Sequence, residues 1–307
     1  MYHIAEQTAV SYTDSQNKPS ASQKASVIYF LTVNYYSTPL IEQLLRSIPT
    51  NLDISYKIVI VNNSIEDSTL QQLQTPFLQI LQAPTNLGFG KACNLGLHWI
   101  YSQDSNAIVW IINPDTYLPE NTLEKVPVFF QSHPEVSILG TLIYTPTGDI
   151  WFAGGRFVPK RGAIVSIDLL SCDPEATYIP CDWVSGCSLL LNLHHFQTCP
   201  QFDPAYFLYY EDFDFCRRYA MQGHQISITS QFAVIHQPSS ITNRHIAQKY
   251  KHSTYSYLFT LERYTNSFIF LMRFGRLLFY AFILLVLKPQ TALGKLAGIF
   301  YYLRRVL

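Results

Sequence analysis

The sequence has no net charge: 21 lysines and arginines balance 21 aspartates and glutamates. A neutral chain sets up no broad field to gather nucleic acid, and no basic-aromatic stripe occurs before the last third. Cys-x-x-Cys is also absent. Six cysteines stand at 93, 172, 181, 187, 199 and 216, so a zinc ribbon is not expected. Their spacing demands no disulfides, which points to a reducing compartment. The N-terminus lacks a basic segment followed by an apolar one, so no signal peptide is expected. Gly-x-Gly-x-x-Gly after the first strand and Gly-x-x-x-x-Gly-Lys-Ser/Thr are both missing, which removes the usual dinucleotide and NTPase loops. The longest apolar run, 277–287, is eleven residues, short of the roughly 20 that a spanning helix needs.

What is present is a packed globular chain. Its 307 residues are 48% hydrophobic, enough for one large α/β domain or two closely joined ones. The stretch Ile108-Val109-Trp110-Ile111-Ile112-Asn113-Pro114-Asp115-Thr116 organises it. Five apolar residues in a row predict a strand buried on both faces. Pro114 has no N–H for a ladder, so the strand ends there and leaves Asp115 at its carboxyl edge. Open α/β sheets bind ligands at that edge. Asp115 is therefore either a loop cap or a hard ligand for Mg²⁺ or Mn²⁺ on a diphosphate.

Residues 1–25 are rich in Ser, Thr, Gln and Ala without a period and are expected to form a flexible tail. A buried strand follows over 27–33. Thr38-Pro39 opens a helix carrying Leu40, Ile41, Leu44, Leu45 and Ile48. A second strand over 57–61 runs into Asn62-Asn63-Ser64, and a weak third one covers 78–81. Asn86-Leu87-Gly88-Phe89-Gly90 then enters a helix that contains Cys93, before the central strand. Strand and helix alternate, which predicts a mostly parallel sheet covered by helices. Gly88 and Gly90 either allow a tight turn or let a phosphate or sugar approach the helix N-terminus. Further on, a helix is expected over 122–130, with strands over 137–143, 184–191, 226–228 and 232–235.

Two later stretches carry chemistry. Phe207-Leu208-Tyr209-Tyr210-Glu211-Asp212-Phe213-Asp214 places three carboxylates among aromatics at the start of a helix expected over 211–222. Asp214 and Arg218 are helix neighbours four apart. The adjacent pair Glu211-Asp212 is a poor choice for mere capping, and one of the two is a candidate general base. His236 ends the last strand and is either a satisfied loop residue or part of a metal set with Asn113 and Asp115. Residues 241–263 are polar and basic, with Arg244, His245, Lys249 and His252. Two apolar runs separated by Arg273 and Arg276 follow, and then a basic amphipathic stretch over 293–307. These predict interfacial membrane contact or a helical hairpin packed on the domain.

The ordered motifs resemble family 2 glycosyltransferases, the inverting GT-A group, and most closely their rhamnosyltransferase-like branch. The matching pieces are Val33-Asn34-Tyr35, Asn62-Asn63-Ser64, Asn86 to Gly90 with Asn94 and Gly96, and Asn113-Pro114-Asp115-Thr116. Trp183-Val184-Ser185-Gly186, Phe202-Asp203, the 207–214 run and His236 complete the set, over roughly residues 27–240. The resemblance implies an α/β GT-A fold: a single Rossmann-like mixed sheet covered by helices, with a C-terminal amphipathic helical extension. A flexible tail (1–25) would precede a nucleotide-sugar half (26–116). An acceptor half (117–240) and a basic, apolar helical tail (241–307) would follow. The implied activity is metal-dependent transfer of a sugar, L-rhamnose as the best guess, from a dTDP-, UDP- or GDP-sugar to a saccharide or lipid-linked saccharide. Such a transferase would serve cell-envelope polysaccharide synthesis at the cytoplasmic face of a membrane, in peripheral contact through its tail.

By the same resemblance, Asn34, Asn62, Asn63, Asn86, Gly88, Gly90 and Asn113 would hold the nucleotide and its phosphates. Asp115 and His236 would bind Mg²⁺ or Mn²⁺. Asp212 or Glu211 would be the base, with Trp183, Gly186 and Tyr210 on the acceptor or sugar side. Relatives usually carry an Asp just before the Asn-Asn-Ser turn; here that residue is Val61, and Asn113 replaces another Asp. These departures support a non-catalytic sugar-nucleotide-binding member as the alternative. A nucleotidyltransferase of the same fold would want an early basic residue for a triphosphate, and none lies between the first strand and Arg46.

Overall fold

The computed structural model describes residues 27–50, 54–73, 77–237 and 245–306. The expected tail over 1–25 and Arg244 lie outside them. Strand β1 (Ile28–Asn34) is buried along its whole length. The chain then forms α1 (Thr38–Ser47), β2 (Tyr56–Asn62), β3 (Leu78–Gln82), α2 (Phe89–Gln103) and β4 (Ile108–Ile112). β3, β2, β1 and β4 lie side by side, all parallel. The order reverses at β1, with β2 on one side and β4 on the other. The carboxyl ends of β1, β2 and β4 therefore border one crevice, the ordinary ligand position of an open α/β sheet.

The sheet continues through β5 (Thr116–Tyr117), β6 (Ile138–Tyr144), β7 (Ile150–Phe152), β10 (Ile179–Pro180), β11 (Ser188–Asn192) and β12 (Ile226–His236), with α3 (Lys125–Ser132) between β5 and β6. β8 (Gly155–Val158) and β9 (Ala163–Ser166) form a separate hairpin. β11 inserts antiparallel between β4 and β6, so the sheet is mixed beyond β4. The two short strands expected over 226–235 are one strand, bulged between Thr229 and Ala233. The bulge absorbs extra residues without ending the ladder. At the centre, Trp110 stacks on Phe30 at 5.3 Å. Its buried indole N–H donates to Ser188 Oγ, which also accepts from Thr141 Oγ1. One polar chain thus locks β4, β11 and β6 in register. All six cysteines are free thiols.

The C-terminal part comprises α4 (Glu211–Met221), ahead of β12, and then α5 (Ile246–Tyr264), α6 (Ser267–Leu287) and α7 (Pro289–Val306). α5 belongs to the domain and is not a detached tail. Its Arg263 donates to Asp203 Oδ2 at 2.7 Å and to Asp214 Oδ1 at 2.6 Å, and Tyr264 Oη donates to Asp214 Oδ1 at 2.8 Å. Asp214 is fully buried, and its other oxygen accepts from Arg218 Nε at 2.7 Å. The pair expected on one helix is thus the centre of a network that joins α4 to α5. α6 corrects the expectation of two interrupted runs. It is one continuous helix of 21 residues, because arginines three apart sit on the same side and leave the rest of the surface apolar. It is long and apolar enough to cross a membrane by length and composition.

Candidate active site

The crevice at the carboxyl ends of β1, β2 and β4 is a cavity of about 610 Å³. Its floor at β4 is the Asn113-Pro114-Asp115 turn. The Asn113 N–H donates to the Cys187 carbonyl, and the Asn113 carbonyl accepts from the Thr116 N–H. β5 then pairs antiparallel with the end of β12, Thr116 opposite His236. The Gln237 N–H donates to the Asp115 carbonyl at 2.9 Å. This pairing brings His236 Nε2 to 3.2 Å from Asp115 Oδ1, with both side chains buried. Trp151 sits edge-on to the His236 ring at 4.6 Å.

The donor set can be tested against a divalent cation. Among the described residues, no three His, Cys, Asp or Glu side chains come together as a metal cluster. Asp115 and His236 are two, separated about as two adjacent ligands of one octahedral ion are. Mg²⁺ is ordinarily held by one or two carboxylates, with substrate phosphates and water completing the shell. His236 Nδ1 is buried without a hydrogen-bond partner among the described residues. The pair fits a cation whose remaining ligands come from a bound diphosphate.

A second wall comes from the 206–212 segment. Tyr209 and Tyr210 both lie in the left-handed region, with φ of 71° and 66°, which costs about 1–3 kcal/mol each for non-glycine residues. α5 holds them there: Ser256 Oγ donates to the Leu208 carbonyl, and Tyr206 Oη bonds Thr260 Oγ1. The segment also meets the glycine loop, where the Phe89 N–H donates to the Phe207 carbonyl at 3.0 Å. Gly88 has φ of 77°, and a Cβ on it would lie 2.1 Å from the Phe207 oxygen. Only glycine fits that approach. Asn63 fixes the same loop from below, donating to Asn86 Oδ1 and the Gly88 carbonyl and accepting from the Leu87 N–H.

The strained turn delivers Glu211 and Asp212 to the first turn of α4. Asp212 Oδ2 accepts from the Gly186 N–H at 2.9 Å, and Oδ1 accepts from its neighbour Phe213 N–H at 2.8 Å. Both oxygens are thereby aimed. Burial raises the Asp212 carboxyl, and those backbone N–H groups oppose the rise. Glu211 is more deeply buried, and its Oε2 has no partner among the described residues. Burial first, and the Asp212 charge second, push it up to about 8. Close carboxylates titrate as a pair, and here Glu211 is the member that keeps its proton at neutral pH.

This has a consequence for stability. An acid with a higher pKa folded than unfolded holds its proton more tightly in the native state. Its contribution is full below the ordinary glutamate value near 4.5 and is lost as pH rises through about 8. Glu211→Gln removes that slope. Melting curves of variant and wild type, followed by differential scanning fluorimetry, should converge toward pH 4.5 and separate at pH 8 with the variant higher. Parallel curves across that range would show that Glu211 titrates normally.

The structure sorts the residues expected from the sequence. Asp115, His236, Asn63, Asn86, Gly88, Asn113, Gly186, Tyr210, Glu211 and Asp212 all line the cavity. Asn34, Asn62, Gly90 and Trp183 lie outside that lining. Asn34 is fully buried; it donates to Asn62 Oδ1 and Asp67 Oδ2 and accepts from Ser37. Asn62 donates to Gln82 Oε1. These amides are spent on tying strand ends together. Gly90 packs against Phe202 and Glu211, and Trp183 against Gly155 and Phe152. Val61 is fully buried in β2, in register with Val33 of β1, which lines the cavity.

Sequence reasoning missed the wall made by α5. His245, Gln248, Lys249 and His252 line the cavity at spacings of three and four. His252 stacks on Phe207 at 4.3 Å, and burial, helped by Lys251, lowers it to about 4, so it is a neutral ring at pH 7. The i, i+3, i+4, i+7 repeat was the available signal.

A parallel four-strand half, an acidic turn at its carboxyl edge and an aimed carboxylate in the same cavity define a GT-A-type α/β domain. Residues 30–176 match the model described as glycosyl transferase family 2. The chain is 25% identical over 260 residues to the N-acetylglucosaminyl-diphospho-decaprenol L-rhamnosyltransferase of Mycobacterium tuberculosis (strain H37Rv), covering 76% of this chain and 84% of the relative. It is 24% identical over 228 residues to rhamnosyltransferase WbbL of Escherichia coli K12, covering 68% and 83%. The crystal structure of GalNAc-T7 with UDP, GalNAc and Mn²⁺ superposes with a TM-score of 0.56 at 12% identity. That match covers 78% of this chain but only 48% of the solved one, so this chain spans about half its length. The likeness establishes the fold.

Proposed function

We propose that this protein is an inverting, metal-assisted glycosyltransferase. It moves a sugar, L-rhamnose as the leading candidate, from a nucleoside-diphosphate sugar to a hydroxyl of a saccharide or lipid-linked saccharide. One observation carries the reading: the Asp115–His236 pair and the doubly anchored Asp212 share one cavity. Cys187 lies between the two sides, near enough to both carboxylates that their charges add to burial in raising its thiol. Support for rhamnose comes from the two rhamnosyltransferase relatives.

Asn63, Asn86, Gly88 and Asn113 would face the nucleotide and its phosphates, and Asp115 and His236 would hold Mg²⁺ or Mn²⁺. When bound, such an ion offsets the charge that develops on a diphosphate leaving group. Asp212 accepts the proton of the acceptor hydroxyl as that oxygen bonds to C1 of the donor sugar. The C1–oxygen bond to the diphosphate breaks on the opposite face, so the anomeric centre inverts. One base suffices, in contrast to the two flanking carboxylates of a glycosidase. Gly186 positions that base, and Tyr210 borders the acceptor side. Peripheral contact of the C-terminal helices with the cytoplasmic face of a membrane belongs to the same reading.

The test is a donor panel of dTDP-, UDP- and GDP-sugars incubated with Mn²⁺ or Mg²⁺ and lipid-linked saccharide acceptors. Release of nucleoside diphosphate is followed by mass spectrometry. Release from one donor, lost on metal chelation and reduced about a hundredfold or more in Asp115→Asn, is expected. Binding of a donor without release under any acceptor mixture would favour the non-catalytic alternative.

A further inference from the structure

α6 exposes a stripe that none of the described residues covers. Phe268, Leu271, Phe279, Phe282 and Val286 are exposed, with Gly275 filling the one gap in a repeat of threes and fours. Phe268 is 74%, Phe279 69% and Val286 86% accessible. The stripe therefore runs the full length of the helix on one face. An apolar face of this extent marks a docking surface.

Its charge setting selects the partner. Residues 267–306 contain six basic side chains and no acidic one. Arg276, Lys288 and Arg304 are exposed. An exposed apolar face, widened by Met272, Tyr280 and Ile283 and accompanied in α6 and α7 by cations and no acidic side chain, matches an anionic lipid surface, where side chains enter the acyl boundary and cations meet headgroups.

The packing decides the orientation. Gly294 and Gly298 of α7 lie against Ala247 and Lys251 near the start of α5, and Arg305 pairs with Glu262 near its end. α6 follows the end of α5, and α7, which follows α6, runs along α5 from its beginning to its end, so the far end of α6 lies toward the beginning of α5. A crossing helix has its ends on opposite sides of a hydrocarbon core about 30 Å thick. α5 would then have to cross as well, yet it turns Lys249 and His252 into the cavity and Arg263 to Asp214. Ile269, Ala281 and Leu284 are buried on the inner side of α6, and Arg273 Nε donates to the Arg161 carbonyl on the β8–β9 hairpin.

We propose that α6 lies flat in an anionic leaflet by this stripe, and that it sets the cavity mouth at headgroup level. Tyr257 of α5 makes the connection. It lies beside Arg273 and Arg276, and its ring is 5.7 Å from that of Tyr210 in the cavity. Resting on the glycosyl-transfer reading, this places the Tyr210 side of the cavity close to the headgroups.

The test is co-sedimentation of the full chain with vesicles of phosphatidylcholine alone and of phosphatidylcholine mixed with phosphatidylglycerol. Wild type should bind the mixed vesicles more tightly and come off in alkaline carbonate. The double variant Phe279→Asp/Val286→Asp, unchanged in circular dichroism, should lose about a hundredfold in partitioning. Unchanged binding by the variant would overturn the proposal. So would wild type that resists carbonate, which indicates a crossing helix. A dimer that the variant splits, without vesicle binding, would assign the stripe to a second copy instead. The measurement needs no sugar donor: docking without turnover on lipid-linked acceptors would leave the stripe assigned and defeat only the transferase reading.

Discussion

Asp212→Asn should lower turnover by about a thousandfold while donor affinity stays within a few-fold of wild type. The carboxylate offers one oxygen to the Gly186 N–H and the other to the Phe213 N–H. An amide keeps one of those acceptors and turns an NH₂ toward the other donor, so the variant loses both the base and its aim. Glu211→Gln is the contrast. That side chain already carries a proton at pH 7, and its loss should reduce turnover far less. Steady-state kinetics on both variants, with nucleoside diphosphate affinity by calorimetry, separates the roles. A fall of less than about tenfold for Asp212→Asn, with a larger one for Glu211→Gln, would move the base to Glu211.

Asp214→Ala should lower stability by about 3–5 kcal/mol, the usual result of breaking a buried ion network from one side. Asp214 is fully buried and accepts from Arg218, Arg263 and Tyr264. Without it, Arg263 retains Asp203, but the Arg218 Nε loses its acceptor, and α5 is released from α4. The fall in melting temperature should be roughly 6–15 °C. Because α5 also holds the Leu208 carbonyl through Ser256, donor affinity and turnover should fall together at temperatures where the variant is still folded. A melting temperature within about 2 °C of wild type would show that the network contributes little.

The nucleotide half was legible because its signals are local. β1, β2 and β4 are dominated by apolar residues and closed by Asn34, Asn62 and Asn113. The acidic turn at Asp115 and the pair at 211–212 stood out because buried carboxylates are rare. What escaped depends on contacts distant in sequence. Asn34 and Asn62 carry the same side chain as Asn63 and occupy similar turns, yet only Asn63 faces the cavity; an asparagine in a turn serves backbone and ligand equally well. The insertion of β11 leaves no mark in its own apolar sequence. The basic stretch after 240 resembles a solvated or membrane-facing segment by composition, whereas Arg263 is consumed by two aspartates and one face of α5 closes the cavity. The left-handed turn at Tyr209 and Tyr210 had no glycine to announce it.

The pairing of β5 with β12 has a consequence for how the protein is made. Asp115 leaves the ribosome early, in a segment whose strands and helices contact one another locally. Its partner His236 and the aspartate at 212 follow much later, and the helix that props the 206–210 turn emerges later still. Domains tend to fold from the N-terminus as they are synthesised, so a stage is expected in which the parallel half and its acidic turn stand without the other walls of the cavity. A nascent chain ending at 176, the last residue matched by the family model, holds the acidic turn but neither His236 beside it nor Asp212. The cavity is complete only when the last strand and the helix after it dock.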